Sequence, residues 1–410
     1  MQEESVRPPA PPSSEPARSK SGRPATRAPA DDVFANPDYV GWYRELSALL
    51  TAGEKGRLLF DSTILEPTAQ LYSRARQAFD AGQPSPFRST FGWGSPLLIA
   101  AIAKRYGVDE RSILTTTGCT GAIWHVYTAY LKAGAHVIIE RPYFELLPRF
   151  AKSRGASISF LPRLEPGHGV DLEQLEALIQ PNTELIVLTN AHNPTGAYLD
   201  DAALRDIARV ANKHGVAVLV DEVYGDFVPS NVRSGPAARI DPCFISVSSL
   251  TKVYGLHGLK CGWLIAADDV LQRLRPVYAE FEIGSSKITH GIAALILDDI
   301  AEFGAHWRSV LARNRPLLVE TVRRLQAEGL MAGAVPEYGC MYFPRLTQVK
   351  DTRRFASWMW ERSRLGLAPG DFFGAPGHIR LGFGQSHQEL AAGLALLADG
   401  LREYREPPVS

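Results

Sequence analysis

The chain has 410 residues, of which 45% are hydrophobic, so it can bury a large core and is long enough for two domains. Its 44 basic and 44 acidic residues balance, and this gives no electrostatic support for a nucleic-acid or membrane partner. A small neutral or zwitterionic ligand fits this composition better. No apolar run is long enough to cross a bilayer and residues 1–32 contain no hydrophobic signal, so we expect a soluble, cytoplasmic protein.

The N-terminal stretch 1–32 is rich in Pro, Ser, Ala and Arg and has almost nothing apolar to bury, which predicts a disordered tail. From residue 33 onward, short aliphatic runs alternate with helical periodicity. Five runs predict strands, at 136–140, 184–190, 216–222, 243–248 and 260–266. Residues 200–215 predict an amphipathic helix whose apolar positions share one face before Gly215 ends it.

Apolar strands separated by helices indicate an α/β fold with a mostly parallel sheet covered on both sides. After about residue 300 the pattern changes to a long helix with a kink near Pro316, followed by short strands and two further helices. This is typical of a smaller α+β domain. The predicted division is a tail at 1–32, a segment at 33–60 that joins the small domain, a large domain at 61–300 and a small domain at 301–410.

The four cysteines are widely scattered, with neither the paired spacing of a zinc site nor the density of a disulfide scaffold. We therefore expect no metal site. Three of the cysteines are expected to be small, buried hydrophobic residues.

Polar or aromatic residues lie at or shortly after the ends of four of the predicted strands, at the sheet edge where ligands of open parallel sheets collect. These residues are Tyr143, Asn193, Asp221, Tyr224, Ser249 and Lys252. Upstream, the sequence TTTGCTGA places a Gly-Cys-Thr-Gly turn before an amphipathic helix, and such a helix start can bind phosphate. The turn is a weak signal by itself and gains weight from the strand-end residues.

Lys252 lies in SVSSLTKVYGLHGLKCGW, residues 246–263, with no carboxylate within four positions. Most lysines are solvated surface residues, but a surface helix would carry acidic partners and would not carry three glycines. A lysine that forms a Schiff base must lose its proton, and an adjacent carboxylate would oppose that loss. The hydroxyls and glycines around it would also let a cofactor approach closely.

Taken in order, the segments GCTGA, PYF, NPTG, DEVYGDF, SSLTKVYGLHGLKCGW and GHIRLGFG resemble the class I/II aminotransferases of fold-type I pyridoxal-phosphate (PLP) enzymes. The resemblance covers roughly residues 57–403. It implies a large domain with a seven-stranded, mostly parallel sheet sandwiched by helices, and a smaller α+β domain. It also implies PLP as the cofactor and a homodimer with the active site at the subunit interface.

The resemblance implies a role for each strand-end residue. Lys252 would form the Schiff base with the cofactor and then move a proton at the substrate α-carbon. Asp221 would keep the pyridine nitrogen protonated, and Asn193 and Tyr224 would bind the ring hydroxyl. Lys252, Asp221 and Tyr224 would be the catalytic residues, while Tyr143 would stack on the ring.

The phosphate would be held by amides and side chains of Gly118, Cys119, Thr120, Ser249 and Lys260. Arg380, flanked by the apolar Ile379 and Leu381, would clamp the substrate α-carboxylate through a two-pronged contact, with Asn193 beside it. Individually, several of these residues have ordinary structural interpretations, such as a turn cap for Asp221 or a core ring for Tyr143.

The chain departs from the family pattern in three places. Lys260 stands where the family usually has arginine, which supplies charge without the fork geometry. FDSTILEPTAQ replaces the usual Gly-Glu-Pro-Asp segment near the substrate, so recognition near Ser62 differs. The tyrosine that commonly reaches the partner's phosphate is absent, and Thr90 and Phe91 occupy that region.

The predicted function is transfer of an amino group from an amino acid to a 2-oxo acid. YAEFEIGSSKITHG lacks an arginine for a side-chain carboxylate, which disfavours a dicarboxylate donor, and Glu280 or Glu282 is a candidate partner for a cationic side chain. One alternative is another PLP chemistry on the same fold: β-elimination, cyclisation or oxidation. A non-catalytic PLP-binding regulator is a further alternative, although such proteins normally carry a DNA-binding domain.

Overall fold

The structure is a computed structural model that describes residues 38–80, 92–163, 165, 167–282 and 286–406. The predicted tail at 1–32 and the residues Thr90 and Phe91 lie outside the described residues. The helices are α1 Tyr39–Thr51, α2 Thr68–Asp80, α3 Pro96–Tyr106, α4 Gly118–Tyr130, α5 Leu146–Ser153, α6 Leu172–Ala177, α7 Asp201–His214, α8 Asp268–Phe281, α9 Lys287–Asp298, α10 Ile300–Ala327, α11 Thr352–Ser363 and α12 His387–Glu403.

The strands are β1 Arg57–Leu58, β2 Ile113–Thr117, β3 His136–Arg141, β4 Ser157–Pro162, β5 Thr183–Thr189, β6 Ala217–Asp221, β7 Phe244–Ser249, β8 Cys261–Ile265, β9 Met331–Ala332, β10 Met341–Tyr342, β11 Arg345–Leu346, β12 Leu365–Gly366, β13 Ala368–Pro369 and β14 Ile379–Gly382. All five strands predicted from apolar runs are present, each within a residue or two of its predicted bounds. The edge strands β2 and β4 were not among them.

Seven strands form the central sheet, in the order β2-β8-β7-β6-β5-β3-β4. All neighbours pair in parallel except β8, which is antiparallel to both β2 and β7. The prediction of a seven-stranded, mostly parallel α/β sheet is therefore confirmed. The inner strands are buried along almost their whole length, which explains their largely apolar sequences.

Several helices around this sheet begin or end at residues that commonly cap helices. Helix α7 begins after Asp200, whose side chain accepts a hydrogen bond from the Ala203 amide, and it ends at the left-handed Gly215. This confirms the helix predicted at 200–215. Helix α10 runs unbroken through Pro316 for 28 residues.

The N-terminal elements pack against the C-terminal part of the chain. Strand β1 pairs in parallel with β12, and the buried Trp42 of α1 lies 5.3 Å from the ring of Phe372. Phe60 completes this cluster, at 4.8 Å from Trp42. Shortly after β1, the chain enters the segment that starts at Asp61. This segment borders the candidate active site.

Within the described ranges, no helix is both long and apolar enough to cross a membrane. The same residues contain no group of three or more His, Cys, Asp or Glu side chains placed to hold a metal ion. Cys119, Cys261 and Cys340 are buried and all four cysteines are free thiols, as predicted for three small buried residues.

Candidate active site

The sheet topology gathers the predicted site residues at one edge. Strands β2, β3, β5, β6 and β7 run in the same direction, so their carboxyl ends share this edge, and the antiparallel β8 begins there. The pairing of Thr189 with Asp221, and of Ser249 with Gly262, places the strand ends side by side. Residues far apart in the sequence therefore face one cleft.

Lys252 is partly buried in the loop after β7. Its Nζ donates to Thr63 Oγ1 at 3.0 Å, and its carbonyl accepts from the Ile64 amide at 3.0 Å. No ion pair to Lys252 occurs among the described residues. Burial lowers the pKa of Lys252, and the Asp61 carboxylate acts in the opposite direction. The amine therefore loses its proton more readily than an exposed lysine does.

Asp221 is a buried carboxylate at the end of β6. Its Oδ1 accepts from the Val223 amide at 3.0 Å and from Cys119 Sγ at 3.2 Å. Burial raises the pKa of Asp221 to about 6. Its Oδ2 has no partner within the described part of the chain, which leaves an acceptor for a ligand's N–H group.

Arg380 of β14 is buried, and protein groups use three of its five N–H groups. Nε donates to the Phe60 carbonyl at 3.3 Å, Nη1 to Asn193 Oδ1 at 3.1 Å, and Nη2 to the Tyr39 hydroxyl at 2.9 Å. The guanidinium also lies 4.9 Å from the centre of the Phe373 ring. Among the described residues, one N–H on each terminal nitrogen has no acceptor, which suits a two-pronged contact with a carboxylate.

Asn193 and Tyr224 each present a polar group to the cleft. A guanidinium only donates, so the bond to Arg380 requires Asn193 to turn its oxygen towards Arg380 and its amide nitrogen elsewhere. Tyr224 shares a hydrogen bond of 2.6 Å with Ser62 Oγ. The backbone of Asn193 is held by Thr189 Oγ1, which in turn donates to the buried Glu140 at 2.6 Å. Asn193 is thus held through its backbone and Tyr224 through its hydroxyl.

A buried ionic network anchors the loop of Tyr224 to the loop of Lys252. Asp226 accepts from Arg105 at 2.7 Å, from Tyr254 at 2.8 Å and from Arg233 at 3.1 Å. Arg105 is on α3 and Tyr254 follows Lys252 by two positions. The network therefore fixes the relative position of both loops.

Helix α4 begins at Gly118, which has the left-handed φ of 74°. A Cβ on Gly262 of β8 would lie 2.6 Å from the Cys119 backbone nitrogen, so only glycine lets β8 pass the helix start. The first amides of a helix, which in α4 include those of Cys119 and Thr120, have no intrahelical acceptor. This is a ready site for an anionic group.

Two further phosphate candidates lie near this turn in the sheet. The buried Ser249 pairs with Gly262, and its Oγ accepts from the Thr251 amide at 3.3 Å. Lys260 is exposed, and its Nζ lies 3.4 Å from His257 Nε2. The pairing of Thr117 with Cys261, directly after Lys260, brings this lysine's backbone next to the start of α4.

The structure gives the ring of Tyr143 a partner within the protein. It stacks on Phe160 at 5.2 Å with an interplanar angle of 25°, and it lies against Gly374, where a Cβ would come within 2.8 Å. The next residue, Phe144, is half-buried against the core cluster that contains Cys119 and makes no ring contact within the described ranges. Phe144 therefore joins Tyr143 as a candidate for stacking on a flat ligand.

Glu282 is bound within the protein and does not face the cleft as a free carboxylate. Its Oε1 accepts from the Thr117 amide at 2.8 Å and lies 3.3 Å from His125 Nε2, and its Oε2 accepts from Thr117 Oγ1 at 3.0 Å. These bonds secure the start of α4. They engage both oxygens, so the structure does not support Glu282 as a partner for a substrate side chain; Glu280 is exposed on α8.

Three side chains of the site were missed from the sequence: Tyr39 on Arg380, Ser62 on Tyr224 and Thr63 on Lys252. Ser62 and Thr63 lie in FDSTILEPTAQ, the stretch whose departure from the family pattern was the available signal. No sequence feature pointed to Tyr39.

The protein-family model for "Aminotransferase class I and II" matches residues 57–397, which is most of the chain. The chain belongs to this family. An aspartate aminotransferase from Streptomyces avermitilis is 28% identical over 347 residues, 79% of this chain and 84% of that protein. A capreomycidine synthase from Streptomyces vinaceus is 26% identical over 317 residues, 77% and 81% of the two chains. The solved structure of a PLP-dependent cyclase, OrfR, superposes with a TM-score of 0.78 at 26% identity, covering 94% of this chain and all of that one.

Members of this family are PLP-dependent transferases, and the residues present here fit that cofactor. Buried Asp221 has an unused acceptor for the pyridine nitrogen, and the start of α4 offers amides in a turn that only glycine allows. Lys252 has an amine with a lowered pKa and no ion pair in the described part of the chain. The cofactor is pyridoxal 5'-phosphate, and these groups are the ones that would hold it.

Proposed function

We propose that the protein is an aminotransferase that moves an amino group from an amino acid to a 2-oxo acid. The observation that carries this proposal is the placement of Lys252: an amine with a lowered pKa, bonded to the Thr63 hydroxyl, in a cleft that also holds Asp221 and Arg380. A group that must first attach a cofactor and then carry protons needs this environment.

The roles of the residues follow from their contacts. Bound PLP supplies an electron sink for negative charge at the amino acid α-carbon. Arg380 binds the α-carboxylate with the N–H groups left by Asn193 and Tyr39, and this orients the α-carbon towards Lys252. Lys252 would take a proton from that carbon and give it to the bound cofactor. Asp221 Oδ2 would accept a hydrogen bond from the pyridine N–H and keep that proton in place.

A single-turnover experiment tests the proposal. The PLP-loaded protein is mixed with an amino acid in the absence of any 2-oxo acid, and we expect one 2-oxo acid and one pyridoxamine phosphate per site. Lys252→Ala is expected to slow this by at least about a hundredfold, because it removes the proton carrier. Borohydride should fix the cofactor to Lys252 and to no other lysine. Consumption of the amino acid without pyridoxamine phosphate would contradict the proposal.

Cyclisation of an amino acid is the second candidate, and two relatives favour it. One is named a capreomycidine synthase and the other a PLP-dependent cyclase, and each matches most of the chain. A cyclase would keep the substrate nitrogen in its product, whereas an aminotransferase releases it to the cofactor. Mass spectrometry of the product with ¹⁵N-labelled substrate therefore separates the two.

We also propose that the active form is a homodimer. Helix α2 exposes two large aromatic side chains: Tyr72 is 61% exposed and Phe79 is 50% exposed. Such a face is typical of an interface. Light scattering of the purified protein should give twice the chain mass, and Tyr72→Arg should lower that value. The cytoplasmic location stays a prediction.

A further inference from the structure

The segment Asp61–Leu65 runs between the Lys252 loop and the region around β14, and three glycines make room for it. A Cβ on Gly382, Gly384 or Gly255 would lie 1.8, 2.3 or 2.5 Å from a carbonyl oxygen of this segment. Backbone hydrogen bonds join the segment to the Lys252 carbonyl at 3.0 Å and to the Gly384 carbonyl at 2.7 Å. Its position is therefore fixed by both neighbours.

The Asp61 carboxylate is close enough to both charged groups of the active site, Lys252 and Arg380, to raise the pKa of each. Its neighbour Phe60 accepts from Arg380, and Thr63 accepts from Lys252 Nζ. Asp61 Oδ1 accepts from the Thr63 amide at 3.0 Å, which orients the carboxylate. The side chain is exposed and has no ion pair within the described ranges.

The surroundings of Asp61 are acidic. It lines a cavity of about 400 Å³ together with Thr63, His257 and two more carboxylates. One of these, Glu389, is paired with Arg57 at 3.1 Å; the other, Glu66, has no ion pair in the described part of the chain. Negative charge therefore exceeds positive charge in this cavity.

We infer that Asp61 is a specificity residue that binds a positive group on the side chain of the amino acid substrate, so that the substrates are basic amino acids. This inference rests on the proposed function. With the α-carboxylate on Arg380, a guanidinium or ammonium at the end of the side chain would reach a carboxylate that makes no ion pair within the described part of the chain, and guanidinium pairs best with it. A second carboxylate on the substrate would instead meet Asp61 as a like charge.

Arginine and citrulline provide a matched pair, because citrulline has nearly the same shape without the charge. We expect the PLP-loaded full chain to use arginine at least about tenfold better in kcat/KM than citrulline, the usual effect of a charged hydrogen bond. Asp61→Asn keeps the oxygen that accepts from Thr63 and should bring this ratio close to one. Glu110→Gln removes an exposed carboxylate before β2, at the opposite edge of the sheet, and should leave the ratio unchanged.

A binding measurement separates this inference from the proposed function. 5-Guanidinopentanoate has the carboxylate and the guanidinium but no amino group, so it cannot react. By calorimetry we expect it to bind Asp61→Asn about tenfold more weakly than the wild type, while hexanoate binds both equally. Equal binding of 5-guanidinopentanoate, or an unchanged arginine preference in the variant, overturns the inference. Absence of amino transfer from every amino acid would overturn only the proposed function.

Discussion

One substitution at the buried Asp221 can separate what its carboxyl contributes to function from what it contributes to stability. Asn at this position keeps an oxygen that can accept from the Val223 amide and from Cys119 Sγ, but it carries no charge. Burial raises the pKa of the Asp221 carboxyl from 3.8 to about 6. The folded, cofactor-free protein therefore holds the neutral carboxyl more strongly than the unfolded chain does, and the ionised form that prevails above about pH 6 weakens the folded state relative to the unfolded chain.

The raised pKa decides whether the free energy of unfolding rises or falls with pH. Between about pH 4 and pH 6 the folded state holds a proton that the unfolded state has released, so the stability contributed by the neutral carboxyl is lost as pH rises through about 6. The difference between 3.8 and about 6 corresponds to about 3 kcal/mol. We expect cofactor-free Asp221→Asn to be more stable than cofactor-free wild type by about 2 to 3 kcal/mol at about pH 8, with little difference near pH 4.

Urea unfolding of both cofactor-free proteins across this pH range, at one protein concentration, measures the difference. The same variant should lose amino transfer and should no longer be stabilised by PLP as strongly as the wild type, because the partner of the pyridine nitrogen is weakened. Glu280→Gln serves as the control for a carboxylate that is exposed. A variant that is less stable at pH 8, or a difference that does not change with pH, would refute the reasoning.

Three further outcomes are expected. Arg380→Lys should raise KM for the amino acid at least about tenfold with a smaller change in kcat, because lysine cannot make the two-pronged contact; an unchanged KM would contradict this. Gly382→Ala should cost at least about 1 to 3 kcal/mol in urea unfolding, because its Cβ would lie 1.8 Å from a backbone oxygen, whereas Gly258→Ala, with nothing within 4 Å, should be near neutral. Burial lowers the pKa of Lys252, so the rate at which the cofactor-free protein takes up PLP should level off below pH 10.5; a rate still rising above that value would argue against a buried amine.

The sheet was predictable because its inner strands are continuous apolar runs separated by helices, and five of seven were found in this way. The two missed strands, β2 and β4, form the edges of the sheet. The sequence of β2 ends in three threonines, and β4 is only partly buried along most of its length. The edge strand β4 buries less surface than the inner strands, so its sequence carries a weaker apolar signal, whereas β2 is buried at four of its five positions and its threonines weaken the apolar pattern.

The site was predictable to the extent that it follows strand ends. Asp221 ends a strand, and Asn193 and Lys252 each come shortly after one; parallel strands bring their ends to one edge whatever lies between them. The contacts that were missed join residues that no such rule of sheet topology brings together. Thr63 contacts Lys252, which is 189 positions away in the sequence, and Tyr39 contacts Arg380, which is 341 positions away. Neither contact leaves a local pattern in the sequence.

The glycines after Lys252 have a different purpose from the one that the sequence suggested. Gly255 makes room for the carbonyl oxygen of Ile64, because a Cβ on this glycine would lie 2.5 Å from that oxygen, and Gly382 does the same for Asp61. The segment around Asp61 is thus held by the loop that carries Lys252 and by the strand that carries Arg380, the residue that we propose binds the α-carboxylate. Because one segment contacts both, its position relates the substrate's α-carbon to its α-carboxylate, and a charge on that segment is well placed to select among side chains.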